Sequence, residues 1–234
     1  MLKSIQWLLK DIVDLIYPRT CAACFDAKPV QDGIFCISCL SELPETNYHL
    51  IEGNPFEIHF WGRVPLQAGA AFLFFVPDGR TQTLLHNIKY RSRSDFARTI
   101  GEFYGSRLKH APRFRGLDMI IPVPLHWKKE HTRGFNQSAE FGKGLAESMS
   151  LVFLKNGLTR TRYTDTQTKK SRAERVSNLK DAFVVTDSDK LRGKHILLVD
   201  DVLTTGATLE SCALALLQVE GVKVSMATIA CGRL

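Results

Sequence analysis

No run in the sequence approaches the roughly 18 to 20 continuous apolar residues that a bilayer-spanning helix needs, so no membrane insertion is expected. There is no internal repeat and no low-complexity tract, which sets aside solenoid and disordered-linker architectures. Acidic side chains are in the minority, 24 against 31 basic ones, which leaves a formal charge of +7. That balance fits a nucleic-acid partner, a site built for a polyanionic small molecule, or a mildly basic solvated surface, and composition does not choose among them. An uninterrupted secretion-signal core is missing too. Residues 1–17 place Leu2, Ile5, Leu8, Leu9, Ile12, Val13, Leu15 and Ile16 at helical period, but Lys3, Lys10, Asp11 and Asp14 break the run. An amphipathic helix docked on the rest of the protein is expected there, and a cytoplasmic chain. With 44% apolar residues among 234, the chain can bury the core of one α/β domain plus a small accessory module.

Cysteine is sparse but concentrated. Four of the six lie close together as Cys21, Cys24, Cys36 and Cys39, two C-x2-C pairs separated by eleven residues with Gly33 between them. Each pair can form a knuckle that aims two thiolates at one metal, and two knuckles on a hairpin complete the tetrahedral four-sulfur shell of structural zinc. Disulfides would need an oxidising compartment, which nothing in the sequence supports. Four thiolates leave no open position for a water nucleophile, so the zinc is expected to be structural and coupled to local folding. Cys212 and Cys231 fall in a helical and an extended segment and read as buried apolar residues.

Three regions follow: residues 1–45 as the N-terminal helix and ribbon, 46–65 as a polar connecting segment broken by Gly53 and Pro55, and 66–234 as the main domain. Within the last, strands are expected over 69–76, 118–123, 183–185, 194–199 and 222–230, and helices over 79–90, 95–109, 136–150 and 208–219. Strands alternating with helices predict a mostly parallel sheet flanked by helices.

The chemistry concentrates after the 194–199 strand. Val199-Asp200-Asp201-Val202-Leu203-Thr204-Thr205-Gly206-Ala207-Thr208 carries two carboxylates, a threonine- and glycine-rich turn and the start of a helix. In open α/β sheets ligands bind beyond the carboxyl ends of strands. A helix start there offers unpaired N–H groups to a phosphate, Gly206 allows close backbone approach, and Thr204, Thr205 and Thr208 add hydroxyl donors. Asp200 and Asp201 would repel a bare phosphate but suit a sugar diol and a divalent cation. Phosphate donors and diol acceptors within one loop describe a ribose 5-phosphate.

This segment resembles the signature of type I phosphoribosyltransferases that binds phosphoribosyl pyrophosphate (PRPP). Ile121-Pro122-Val123-Pro124-Leu125-His126, then Arg133-Gly134-Phe135-Asn136-Gln137, then Thr166-Gln167-Thr168 with Arg172-Ala173-Glu174-Arg175, narrow the likeness. With the four-cysteine ribbon and His86-Asn87-Ile88-Lys89-Tyr90, their order over nearly the whole chain resembles the ComF family, phosphoribosyltransferase-like proteins linked to DNA uptake in natural transformation.

The resemblance implies a type I phosphoribosyltransferase-like fold with an N-terminal zinc ribbon, binding PRPP with Mg2+ through residues 199–208, Asp200 and Asp201 holding the magnesium. It implies a pyrophosphate loop over 124–133, with Pro124, Leu125, His126, Lys128, Lys129 and Arg133, and a flexible loop over 164–175, with Gln167, Arg172 and Arg175 facing substrate. Asp200, Asp201 and Arg133 are its catalytic candidates. Either the phosphoribosyl group is transferred to an acceptor the sequence does not reveal, or PRPP is an effector of a component that binds single-stranded DNA or other DNA-uptake proteins without turnover. Related transferases are often dimers; no segment here identifies an interface.

Overall fold

The computed structural model describes residues 20–30, 33–90, 94–125, 127–161 and 182–233. The expected N-terminal helix lies outside them, as do His126 and the whole 164–175 loop with Gln167, Arg172 and Arg175.

Seven strands and eight α-helices can be named among the described residues. Helix α1 (Ile37–Glu42) ends the cysteine ribbon, and α2 (Pro55–Ile58) sits in the connecting segment. Strand β1 (Leu66–Phe74) leads to α3 (Arg80–Tyr90) and α4 (Ser94–His110). Next come β2 (Met119–Pro122), α5 (Trp127–Arg133), α6 (Gln137–Met149) and β3 (Val152–Phe153). The chain continues through β4 (Leu158–Arg160), β5 (Phe183–Val185), α7 (Ser188–Leu191), β6 (His195–Leu203), α8 (Ala207–Leu217) and β7 (Lys223–Cys231).

Five strands form one parallel sheet in the order β1-β7-β6-β2-β3, while β4 and β5 pair antiparallel beside it. Burial along β1, β6 and β7 is almost continuous rather than alternating, as a parallel sheet covered on both faces requires. Helix α6 packs on β2 and β6 with α4 against it, and α8 packs on β6 and β7. The α4–α6 approach depends on two glycines: a Cβ at Gly101 would run into the Phe141 carbonyl, and one at Gly144 into that of Arg98. The predicted mostly parallel sheet flanked by helices is the observed one, as are the expected helices and strands of the main domain, with ends shifted by a few residues.

Two differences bear on the site. Strand β6 runs four residues beyond the expected end at 199, because Asp200, Val202 and Leu203 keep pairing with Thr228, Ala230 and Cys231 of β7. Both carboxylates therefore sit on a strand, not on a loop.

The polar connecting segment is also a built cap. Asn54, 1% exposed, donates to the carbonyls of Tyr48, Ile51 and Gly69, and Glu57 accepts from the Gly53 and Gly69 amides while pairing with Arg113. Its polar residues serve backbone groups inside the fold, with Phe56 and Phe60 fully buried beside them. Residues 44–46 cover the outer edge of β1: Glu45 bridges Leu73, and the Thr46 amide donates to Phe72 at 3.0 Å.

Candidate functional site

A cleft of about 200 Å3 opens at the carboxyl end of β6 and β2. Asp200 and Asp201 line it from β6, and Thr208 lines it from the first turn of α8. Val123, Pro124, Leu125 and Arg133 form one wall, continued by Asn136, Gln137 and Ser138 at the start of α6, while Lys89 and Arg160 contribute from α3 and β4. Three cationic side chains thus face two carboxylates, a balance that suits an anion also carrying hydroxyls or a cation.

The carboxylates are held differently. Asp200 Oδ1 accepts from Ser138 Oγ at 2.7 Å and from the Asp201 amide at 2.8 Å. Among the described residues its Oδ2 has no hydrogen-bond partner, which leaves that oxygen to a ligand. Burial pushes the Asp200 carboxyl up to about 7, and the neighbouring Asp201 charge adds to the rise; the Ser138 hydroxyl, the Asp201 amide and Lys89 pull the other way. Asp201 Oδ2 pairs with Lys89 Nζ at 2.9 Å, the two side chains 18% and 26% exposed, so α3 supplies a counter-charge inside the site.

The turn between β6 and α8 is shaped by Gly206, whose φ of +74° lies in the left-handed region open mainly to glycine. A Cβ there would meet His59 Nε2 at 2.8 Å and Phe60 at 3.1 Å. His59 Nε2 lies 3.0 Å from the Thr205 carbonyl, and Arg63 pairs with Glu210 on α8 at 2.6 Å. The cap over β1 therefore braces the turn from outside. Asn136 braces the opposite wall: its Nδ2 donates to the Val123 carbonyl at 3.0 Å and its Oδ1 caps α6 by accepting from the Ser138 amide.

Of the residues expected from the sequence, Asp200, Asp201, Thr208, Pro124, Leu125 and Arg133 line the cleft together. Val199 and Leu203 are wholly buried and serve the core, while Thr204 and Thr205 are exposed on the turn. The side chains of Lys128 and Lys129 lie outside the description, and residues 127–133, expected as loop, form α5. Sequence reasoning missed the site roles of Ser138, Lys89, Arg160 and His59, because each contact spans a long separation in the chain. Asn136, Gln137 and Lys89 did stand in the motifs noted above, and that was the available signal.

The cysteine ribbon packs along α3, where Arg80 pairs with Glu42 and Asn87 reaches Ala22. Its four sulfurs lie within 4.8 Å of one another, and Cys24 and Cys36 Sγ are 3.9 Å apart. Sulfurs about 2.3 Å from a tetrahedral zinc stand about 3.8 Å apart, so the cluster is compatible with a zinc ribbon. The Cys36 amide donates to Cys21 Sγ and the Cys39 amide to Cys36 Sγ, contacts that favour thiolates. Amides of Asp26 and Ala27 pull the Cys24 thiol down to about 6. Cys212 and Cys231 are fully buried away from this cluster, as expected, and burial raises both thiols. Asn87 Nδ2 donates to the Ala22 carbonyl at 3.1 Å, two residues before Lys89 reaches Asp201, so one helix touches both ribbon and cleft.

Comparison with known proteins agrees with this architecture. The phosphoribosyl transferase domain family matches residues 136–233, which span the α6 wall, β6, the turn and β7. A DNA utilization protein YhgH from Shigella flexneri is 33% identical over 216 residues, covering 91% of this chain and 90% of its own. Competence protein F from Haemophilus influenzae is 32% identical over 130 residues, 54% of this chain and 57% of its own. Competence protein ComFC from Bacillus subtilis is 28% identical over 221 residues, 85% of this chain and 83% of its own. With a phosphoribosyltransferase-like sheet, a cysteine cluster ahead of it and relatives that align along most of its length, the chain belongs to the ComF family of competence and DNA-utilization proteins.

Proposed function

We propose that this chain binds PRPP with a magnesium ion and, in the context of DNA uptake, transfers its phosphoribosyl group to an acceptor that neither sequence nor cleft identifies. The observation that supports this most is the pairing of Asp200 and Asp201 with the Gly206 turn and α8 in one cleft whose other walls carry Arg133, Arg160 and Lys89. The backbone amides opening α8, with Thr208, suit the 5-phosphate. Asp200 and Asp201 suit the ribose hydroxyls as acceptors, and Arg133 suits the diphosphate. In the transfer, the bond from the anomeric carbon to the diphosphate oxygen breaks, the diphosphate leaves with its electron pair, and the acceptor bonds to that carbon. Arg133 and Lys89 would offset charge on the leaving group, while the carboxylates orient the ribose as positive charge spreads over it. The same two carboxylates are hard oxygen donors that suit magnesium, whose contribution when bound is to neutralise diphosphate charge.

We further assign structural zinc to Cys21, Cys24, Cys36 and Cys39, supported by a sulfur spacing that fits a tetrahedral shell. Four thiolate ligands and DNA-utilization relatives favour action in the reducing cytoplasm. A reading without turnover, in which PRPP tunes binding of single-stranded DNA or an uptake protein, is compatible with the net charge of +7 and with the DNA-utilization and competence relatives.

Calorimetric titration of PRPP with and without Mg2+, followed by assay of pyrophosphate release across nucleobase and amine acceptors, tests the proposal. Magnesium-dependent binding with acceptor-dependent release is expected. Binding without release from any acceptor would favour the effector reading, which then predicts an affinity for single-stranded DNA that falls as salt rises.

A further inference from the structure

Gln137 is the first residue of α6 and lines the cleft although it is only 2% exposed. Its Oε1 accepts from Arg133 Nη1 at 3.1 Å. A guanidinium has donors and no acceptor, so this contact fixes the amide: oxygen toward Arg133, NH2 facing the other way. That amide nitrogen is buried and has no hydrogen-bond partner among the described residues. Buried amide donors are nearly always satisfied, because burial has stripped them of water. A donor held in a fixed direction at the wall of a cation-lined cleft is complementary to a ligand oxygen.

Its position indicates which oxygen. Gln137 stands beside Arg133 and the 123–125 wall, which Asn136 ties to the start of α6 through the Val123 carbonyl. The next residue, Ser138, reaches Asp200 instead. The amide therefore lies on the Arg133 side of the carboxylates, whereas the amides suited to a 5-phosphate lie at Gly206 and α8. The positive end of the thirteen-residue α6 adds to the attraction for an anion at this point. Resting on the PRPP reading above, we propose that Gln137 Nε2 donates to the diphosphate of PRPP. Gln137 then distinguishes a sugar bearing diphosphate from one bearing only the 5-phosphate. Oriented by Arg133, it reads the group that departs in the transfer.

The test titrates PRPP, inorganic pyrophosphate and ribose 5-phosphate into the full-length protein, into Gln137→Met and into Gln137→Glu, with thermal melting of each variant as a fold control. Methionine keeps the volume and removes the donor; glutamate keeps the shape and puts an acceptor where the donor was. A lost hydrogen bond to a charged group predicts affinity for PRPP and pyrophosphate about tenfold to a hundredfold lower in Gln137→Met and lower still in Gln137→Glu, with ribose 5-phosphate within about twofold of the unmodified protein. Unchanged pyrophosphate affinity in Gln137→Met overturns the assignment, and so does an equal loss for all three ligands, which marks a packing role. If the unmodified protein binds pyrophosphate in a Gln137-dependent way but not PRPP, the proposed function fails while the oxyanion site at Gln137 stands. If it binds neither, both fall.

Discussion

Between Cys21 and Leu43 the chain has one helix of six residues and four clustered thiols, while from residue 195 onward it has two nine-residue strands and an eleven-residue helix whose inward faces are wholly buried. The first region lends Ile34, Phe35 and Leu43 to the core of the main domain but has little regular backbone pairing of its own, so its local order would rest on the four thiols and the zinc assigned to them. The second is ordered by strand pairing and burial, and can therefore hold a carboxylate pair and a left-handed glycine where a ligand would sit. Helix α3 joins them through Asn87 at the ribbon and Lys89 at the cleft. The contrast implies that the ribbon depends on its thiols for local order while its buried side chains and α3 tie it to the core and the site.

Removing the zinc assigned above should have the largest effect. Structural zinc contributes about 10–16 kcal/mol to comparable small sites, so chelation or Cys39→Ser should release one zinc per chain and unfold the ribbon. Limited proteolysis should then cut within residues 21–43, while the main melting transition persists. A ribbon equally protected after chelation would remove the contrast.

The next effect falls on the turn. Gly206→Ala places a Cβ against His59 in a left-handed backbone, which should cost about 1–3 kcal/mol in urea unfolding. Gly193→Ala, also at positive φ but with nothing near its Cβ, should cost less, since only the backbone preference is violated.

The pH dependence of the cleft sharpens the picture further. Asp200 is held at about 7 against an ordinary value of 3.8, so the folded protein retains a proton that the unfolded chain has lost. Stability from this group therefore falls as pH rises from about 4 to 7, and the cost is fully present above that range. Asp200→Asn cannot ionise; it should flatten this part of the melting-temperature profile and melt higher than the unmodified protein at about pH 8. A parallel profile in the variant would show that the rise belongs to another group.

The smallest effect should come from Lys89→Met. A partly exposed ion pair is worth at most about 1 kcal/mol, so PRPP affinity should fall by roughly fivefold or less with little loss of stability. If zinc removal lowers PRPP affinity in the unmodified protein but not in Lys89→Met, the ribbon acts on the cleft through α3.

Much of this was legible in the sequence because the main determinants are local. The two C-x2-C pairs name their own partners by spacing, and the apolar 194–199 run leading into two acids and a glycine turn pointed to a strand, a cleft edge and a helix start in order. What was not legible depended on long-range contact. Asn54 and Glu57 lie in the segment read from its polarity as a connector, yet here they satisfy backbone amides and carbonyls of the cap and β1. Ser138 and Lys89 reach the acidic pair across 62 and 112 positions respectively, distances no local pattern records. The extension of β6 through the acids was hidden because a carboxylate pair resembles a strand end, whereas Val202 and Leu203 beyond it still pair with β7.

The most direct test of the account is calorimetric titration of PRPP with Mg2+ into the unmodified protein and into an Asp200→Asn, Asp201→Asn double variant shown by its melting curve to be folded. The account predicts binding by the former and none by the latter. Equal binding by both would place PRPP outside the β6–α8 cleft, and a folded protein that binds no PRPP at all would mean that the phosphoribosyltransferase-like fold here serves another ligand.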